Sequence, residues 1–137
     1  MINSLIVTHS RTASGICSTI EMFIGIGKVK YIDAYVNGPE DDPTNKIIAF
    51  IESVKPGEMA YIFTDIYGGS VNQIVVAQVI KSKKNITVIS NVNVPIVIEL
   101  MLRNEELSKE KLEEIIANSS PMLVDTANLE TQDDNFF

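Results

Sequence analysis

What most constrains this chain is a fourfold alternation of short aliphatic runs with segments of helical period. Ser4-Leu5-Ile6-Val7-Thr8, Val29–Tyr35, Met59–Thr64 and Ile86–Ser90 each have the length of a strand, and all but the second are free of charge. Between them, apolar residues recur three and four apart. The sets are Ile16, Cys17, Ile20, Phe23 and Ile24, then Ile47, Ile48, Ile51 and Val54, then Ile74, Val75 and Val79 to Ile80. Gly25 with Gly27, Asn37-Gly38-Pro39 and Pro56-Gly57 punctuate the segments. Asn93 stands as the cap of a further helix with Pro95 in its first turn, where a missing N–H costs nothing. A polar helix follows over Ser108–Asn118 with Leu112, Ile115 and Ile116 inward, and Pro121–Thr126 reads as one more short strand.

Alternating β and α segments of this kind predict an α/β fold, an open and mainly parallel sheet with helices on both faces. Its 137 residues suit one domain, expected over residues 1–126 and followed by an acidic, flexible tail at 127–137. With 45% apolar and 21% charged residues the composition is globular. A net charge of −7 argues against nucleic acid, whose binders cluster Lys and Arg against phosphates. The one basic group, Lys81-Ser82-Lys83-Lys84, reads as a solvated helix end. Cys17 is the sole cysteine, so an intramolecular disulfide is impossible, and with one histidine a zinc cluster is nearly excluded; no metal or cofactor is expected. No run reaches the ~18 apolar residues of a membrane span. The Thr8-His9-Ser10-Arg11 break also spoils any signal-peptide core, so a cytoplasmic location is expected.

In an open parallel sheet the reactive edge is the one beyond the strands' carboxyl ends. The first strand delivers His9 there, the third Asp65, and the fourth leads to Asn91 and Asn93. A carboxylate beside an imidazole accepts a hydrogen bond from one ring N–H, fixes the tautomer and leaves the other nitrogen as a nucleophile. The same carboxylate stabilises the ring when phosphorylation makes it cationic. Gly68-Gly69-Ser70 enters a helix just after the third strand, where glycines let a phosphoryl group approach and helix-start N–H groups favour anions. His9 and Asp65 are therefore the candidate catalytic pair, with Gly68, Gly69, Ser70 and Ser10 as candidate phosphate ligands. The Ser70 hydroxyl is open to two readings, a phosphate donor or a helix cap. Thr8 and Ser10 hydrogen-bond the ring or orient its loop, Arg11 meets phosphate or solvent, and Tyr67 covers the site or packs. Cys17 reads as core.

These residues resemble the enzyme IIA components of the mannose/fructose/sorbose class of the sugar phosphotransferase system (PTS), and the resemblance spans nearly the whole chain. Ile6-Val7-Thr8-His9-Ser10 is similar to the strand that ends in the phosphorylated histidine. Thr64-Asp65-Ile66-Tyr67-Gly68-Gly69-Ser70 with Asn72 is similar to the Asp-x-x-Gly-Gly-Ser-Pro-x-Asn signature, and Asn93-Val94-Pro95 with Glu99 and Leu100 to an Asn-x-Pro helix start. This chain departs in carrying Val71 where the family has proline, Asn72 one place early, and Asn91 where glycine is usual. The resemblance implies a phosphocarrier whose His9 accepts a phosphoryl group from phospho-HPr and passes it to a histidine of a separate enzyme IIB. That protein in turn serves a membrane IIC/IID permease in sugar uptake. It also implies a homodimer exchanging a C-terminal strand, for which Met122–Thr126 is the candidate. Two other readings of the same histidine are a subunit feeding dihydroxyacetone kinase and a non-catalytic regulatory paralogue. A binding module on a flavodoxin-like sheet is a further class, but a receiver domain would need an acidic pair after the first strand, where Thr8-His9-Ser10 stands.

Overall fold

The computed structural model describes residues 2–129. Four strands form one parallel sheet: β1 (Asn3–His9), β2 (Lys30–Ala34), β3 (Ala60–Thr64) and β4 (Ile86–Ile89), in the order β2-β1-β3-β4. The helices are α1 (Thr12–Ile24), α2 (Thr44–Ser53), α3 (Ser70–Ser82), α4 (Val94–Arg103), α5 (Lys109–Asn118) and a last turn, α6 (Thr126–Leu129). The expected architecture is thus present, including helices on both faces.

Strand periodicity explains the two cores. Side chains of a strand alternate between faces. Ile6, Tyr61, Phe63 and Ile89 point to one side, where α1, α4 and α5 cover them with Ile20, Leu100, Met101 and Ile115. Leu5, Val7, Ile32, Ala60 and Ile62 point to the other, beneath Ile47, Phe50 and Ile51 of α2 and Val71 and Val75 of α3. Because β1 and β3 are covered on both faces, they read as unbroken apolar runs. Cys17 is core as expected, and burial, with Glu21 and Asp33 adding to it, pushes its thiol up to about 11.

Some expectations are corrected. Phe23 is 64% exposed, because it lies on the margin of the stripe defined by Ala13, Cys17, Ile20 and Ile24. Ile116 is turned outward, since consecutive helical residues diverge and Ile115 takes the inward place. Lys84 is no solvated side chain: its Nζ donates to the carbonyls of Ile51 (2.8 Å) and Val54 (2.7 Å), closing the C-terminal end of α2. Pro121–Thr126 forms no strand in the single chain. Residues 121–125 run without regular structure, with Leu123 fully exposed, and Thr126 begins α6. A strand exists only where another strand takes up its backbone N–H and C=O groups, and here no neighbouring strand does so. Of the expected tail, residues 130–137 lie outside the described residues.

Candidate functional site

The chain passes from β1 outward to β2 on one side, then returns to place β3 on the other. The order of strands therefore reverses between β1 and β3, where open α/β sheets open a crevice at their carboxyl edge. The register aligns Val7 with Thr64, so His9 at the end of β1 and Asp65 just past β3 emerge side by side. Ser10, at φ 53°, turns the chain away at once toward α1 and spends its N–H on Ala34 O (2.8 Å). Only its hydroxyl is left for an anion.

Asp65 is bound to His9 twice over. Its Oδ2 accepts from the His9 main-chain N–H at 2.9 Å and lies 2.9 Å from the ring Nδ1. Its other oxygen, Oδ1, accepts from Ile66 N at 3.1 Å. The His9 side chain is 40% exposed and that of Asp65 15%. A carboxylate can only accept, so the ring proton sits on Nδ1 and the lone pair on Nε2. Nε2 faces the Ser70 hydroxyl at 3.2 Å. One nitrogen is held, and the other is presented at the surface.

Two helices begin at this edge, and their starts differ. The N-terminus of α1 is closed by side chains: Thr8 Oγ1 accepts from Ala13 N (2.7 Å) and Asp33 Oδ1 from Ser14 N (3.0 Å). The start of α3 has Gly69 as its cap and no side-chain capping bond. The first internal bond there runs from Gln73 N to Gly69 O, so the N–H groups of Ser70, Val71 and Asn72 precede it. Such a start favours a negative charge. Ser70 is therefore the first helical residue rather than the cap, and its hydroxyl is turned to the imidazole.

Local chemistry explains the loop. Gly68 adopts φ 77°, a conformation side chains resist. A Cβ on Gly69 would stand 3.2 Å from Ile66 O and 3.3 Å from Ile66 Cβ. Asn91, in place of the family's usual glycine, holds the left-handed conformation at φ 54°, and its Oδ1 accepts from Tyr67 N (3.0 Å). Asparagine tolerates that backbone better than most residues, so the departure keeps the turn and adds a tie to the Asp65 loop. Val71, in place of proline, is fully buried in the core under α2 and α3. Asn72, 8% exposed, receives the Thr64 hydroxyl (2.8 Å), which is also 2.9 Å from Ser90 Oγ; these ties anchor the start of α3 to β3. Asn93 accepts from Ile96 N as the α4 cap and donates to Ser119 O, so it serves the scaffold. Arg11 and Tyr67 are exposed, Tyr67 at 79%.

One neighbour escaped the sequence reading. Tyr35, just beyond β2, lies 5.5 Å from His9 between ring centroids, and its hydroxyl is 3.4 Å from Ser70 Oγ. The rule that pointed to His9 and Asp65 holds for every strand's carboxyl end, the second included. Among the described residues, no three His, Cys, Asp or Glu side chains group as a metal site requires. No helix among them is long and apolar enough to cross a membrane.

The family model described as "PTS system fructose IIA component" matches residues 3–119. No curated protein matches this chain in sequence. Among solved structures, the fold is similar to the PTS IIA protein associated with the fucose utilization operon of Streptococcus pneumoniae. That match has a TM-score of 0.72 and 20% identity, and covers 95% of this chain and 94% of that one. The phosphotransferase system component EIIA of Streptococcus agalactiae aligns with a TM-score of 0.67 at 23% identity over 87% and 92% of the two chains. The mannose/sorbose-specific IIA subunit of Enterococcus faecalis aligns with a TM-score of 0.67 at 16% identity over 86% of each.

Proposed function

Because the chain belongs to the family of fructose IIA components of the PTS, we propose that it is a cytoplasmic phosphocarrier whose His9 takes a phosphoryl group from phospho-HPr and gives it to a histidine of enzyme IIB. One observation carries this reading. A single imidazole has Nδ1 held by a carboxylate and Nε2 turned outward to a hydroxyl at an uncapped helix start.

The chemistry follows from that arrangement. The Nε2 lone pair attacks phosphorus as the P–N bond of the donor breaks, and that bond's electron pair stays on the donor's ring nitrogen. Ser70 Oγ–H leaves Nε2 and turns to a phosphoryl oxygen, beside the free N–H groups of α3. The Nδ1 proton remains on His9, so the phosphorylated ring is cationic and the Asp65 carboxylate opposes its charge. Transfer to enzyme IIB is the same step with roles exchanged. Phosphoryl transfer of this kind is mostly positioning and charge stabilisation. Both Asp65 oxygens are engaged by N–H donors, which disfavours its use as a base toward water and suits a carrier that must not waste its cargo.

The half-exposed ring suits a protein donor and a protein acceptor, HPr and IIB, with the IIC/IID permease served indirectly. The carrier domain is assigned to residues 1–126, and Gly68, Gly69, Ser70 and Ser10 are assigned to the phosphoryl group. Exposed Met122, Leu123 and Val124 support a homodimer in which this segment adds to the partner copy's β4.

Incubation with phosphoenolpyruvate, enzyme I and HPr tests the reading. Wild type gains one acid-labile phosphate, which passes on to enzyme IIB, and His9→Ala gains none. A wild-type protein that stays unphosphorylated, or a His9→Ala protein that labels normally, refutes it.

A further inference from the structure

Resting on the phosphocarrier reading, we infer that Tyr35 is a positioning residue of the acceptor nitrogen, acting through Ser70. Asp65 sets the direction of every bond in the site. With the proton on Nδ1, Nε2 can only accept, and its neighbour at 3.2 Å, Ser70 Oγ, must donate. A serine hydroxyl has one proton, so a second hydrogen-bonding partner of Ser70 Oγ must donate to it. The Tyr35 hydroxyl at 3.4 Å is that partner. The chain of bonds from Tyr35 to Ser70 to Nε2, and from Nδ1 to Asp65, thus has one polarity along its whole length.

Tyr35 is also built to stay where it is. It adopts φ 61°, which bulky side chains avoid, and a self-closed loop holds it there. Its N–H donates to Asp41 O (3.0 Å). The Asp41 carboxylate in turn accepts from Asn37 N and Asn37 Nδ2, and Gly38 N returns to Tyr35 O. The tyrosine ring lies tilted at 36° to the imidazole, within the range of favourable aromatic contact. At 3.4 Å the hydroxyl bond is long, as bonds to a reacting group commonly are before that group arrives. When Ser70 swings from Nε2 to a phosphoryl oxygen, the Tyr35 hydroxyl still supports its oxygen and limits the positions it samples.

The test is a double-mutant cycle with Tyr35→Phe and Ser70→Ala, read by rapid-quench phosphorylation from phospho-HPr. Tyr35→Phe is expected to lower the limiting transfer rate about fivefold, the factor for one neutral hydrogen bond, with the half-saturating donor concentration unchanged. In the Ser70→Ala background the same change is expected to have no effect. A rate within twofold of wild type, or an equal drop in both backgrounds, overturns the inference while phosphorylation of His9 stands. A second measurement needs no phosphoryl donor. In the unphosphorylated protein, Tyr35→Phe is expected to shift the His9 Nε2 15N resonance toward that of a free lone pair. An unmoved Nε2 resonance in a folded Tyr35→Phe protein overturns the inference even if the carrier reading itself fails.

Discussion

Asp65 can be replaced in two ways, and the geometry of its two oxygens predicts their order. Oδ2 receives both N–H groups of His9, at 2.9 Å each, and Oδ1 receives Ile66 N at 3.1 Å. Hydrogen bonds to a charged group contribute about 1.5–3 kcal/mol and neutral ones about 1. Asp65→Ala removes the bond to Nδ1 just as the ring becomes cationic, so transfer is expected to slow roughly 10- to 150-fold at about 1.4 kcal/mol per decade. In Asp65→Asn the amide has two orientations. With its oxygen in the Oδ2 place, it still accepts from both His9 groups and sets its NH2 against one donor, Ile66 N–H. Flipped, its NH2 opposes the His9 main-chain N–H, and the Nδ1 proton moves. The first orientation loses one acceptor and the second loses more, so the native tautomer survives while the charge and the Ile66 bond are gone. Asp65→Asn is therefore expected to slow transfer by about 2- to 30-fold, the difference of about 0.5–2 kcal/mol between charged and neutral bonds. Rapid-quench labelling from phospho-HPr at saturating donor measures all three proteins. An asparagine variant slower than the alanine variant, or an alanine variant within twofold of wild type, would refute this account of the pair.

Three further outcomes concern the scaffold. Gly69→Ala brings a Cβ to 3.2 Å from Ile66 O and is expected to cost about 1–2 kcal/mol and to slow transfer, seen as a lower Tm together with a weaker labelling rate; an unchanged melt counts against the close approach. Tyr61→Phe removes a buried hydroxyl that has no protein partner among the described residues. A stability gain of about 1 kcal/mol, or roughly 3–4 °C in Tm, is expected, and a loss of that size would contradict it. Cys17 stays protonated in the fold up to about 11 against 9.0 for an ordinary thiol. The unfolded chain thus releases its proton first, so this contribution is complete below pH 9 and is lost as pH rises from 9 to 11. At pH 8 a thiol-reactive dye is expected to label Cys17 only as fast as the protein opens, and rapid labelling of the native state would contradict the burial.

Much of this was legible in the residue order, because strand and helix periods are local properties. The fourfold alternation specified a parallel sheet. The placement of His9, Asp65 and Gly68-Gly69-Ser70 just beyond apolar runs marked a candidate site whose residues the fold brings together, and Asn93 with Pro95 marked a helix start that the structure repeats. Errors arose where a side chain's fate depends on a distant segment. Lys84 looked solvated because the open carbonyls of α2 are some thirty residues earlier in the chain. Pro121–Thr126 reads as a strand from its apolar composition, and among the described residues of one chain no neighbouring backbone is there to pair with it.

By itself the sequence determined which chemistry is available: one imidazole, one carboxylate after the third run, and a glycine-rich helix entrance. Only the tertiary structure decided how these meet. Setting β3 beside β1 puts Asp65 on Nδ1 and turns Nε2 to Ser70, and setting β2 on the other side brings Tyr35 against Ser70. Strand order and register are long-range pairings, decided by how both faces of the sheet are covered, and a local pattern carries no record of them.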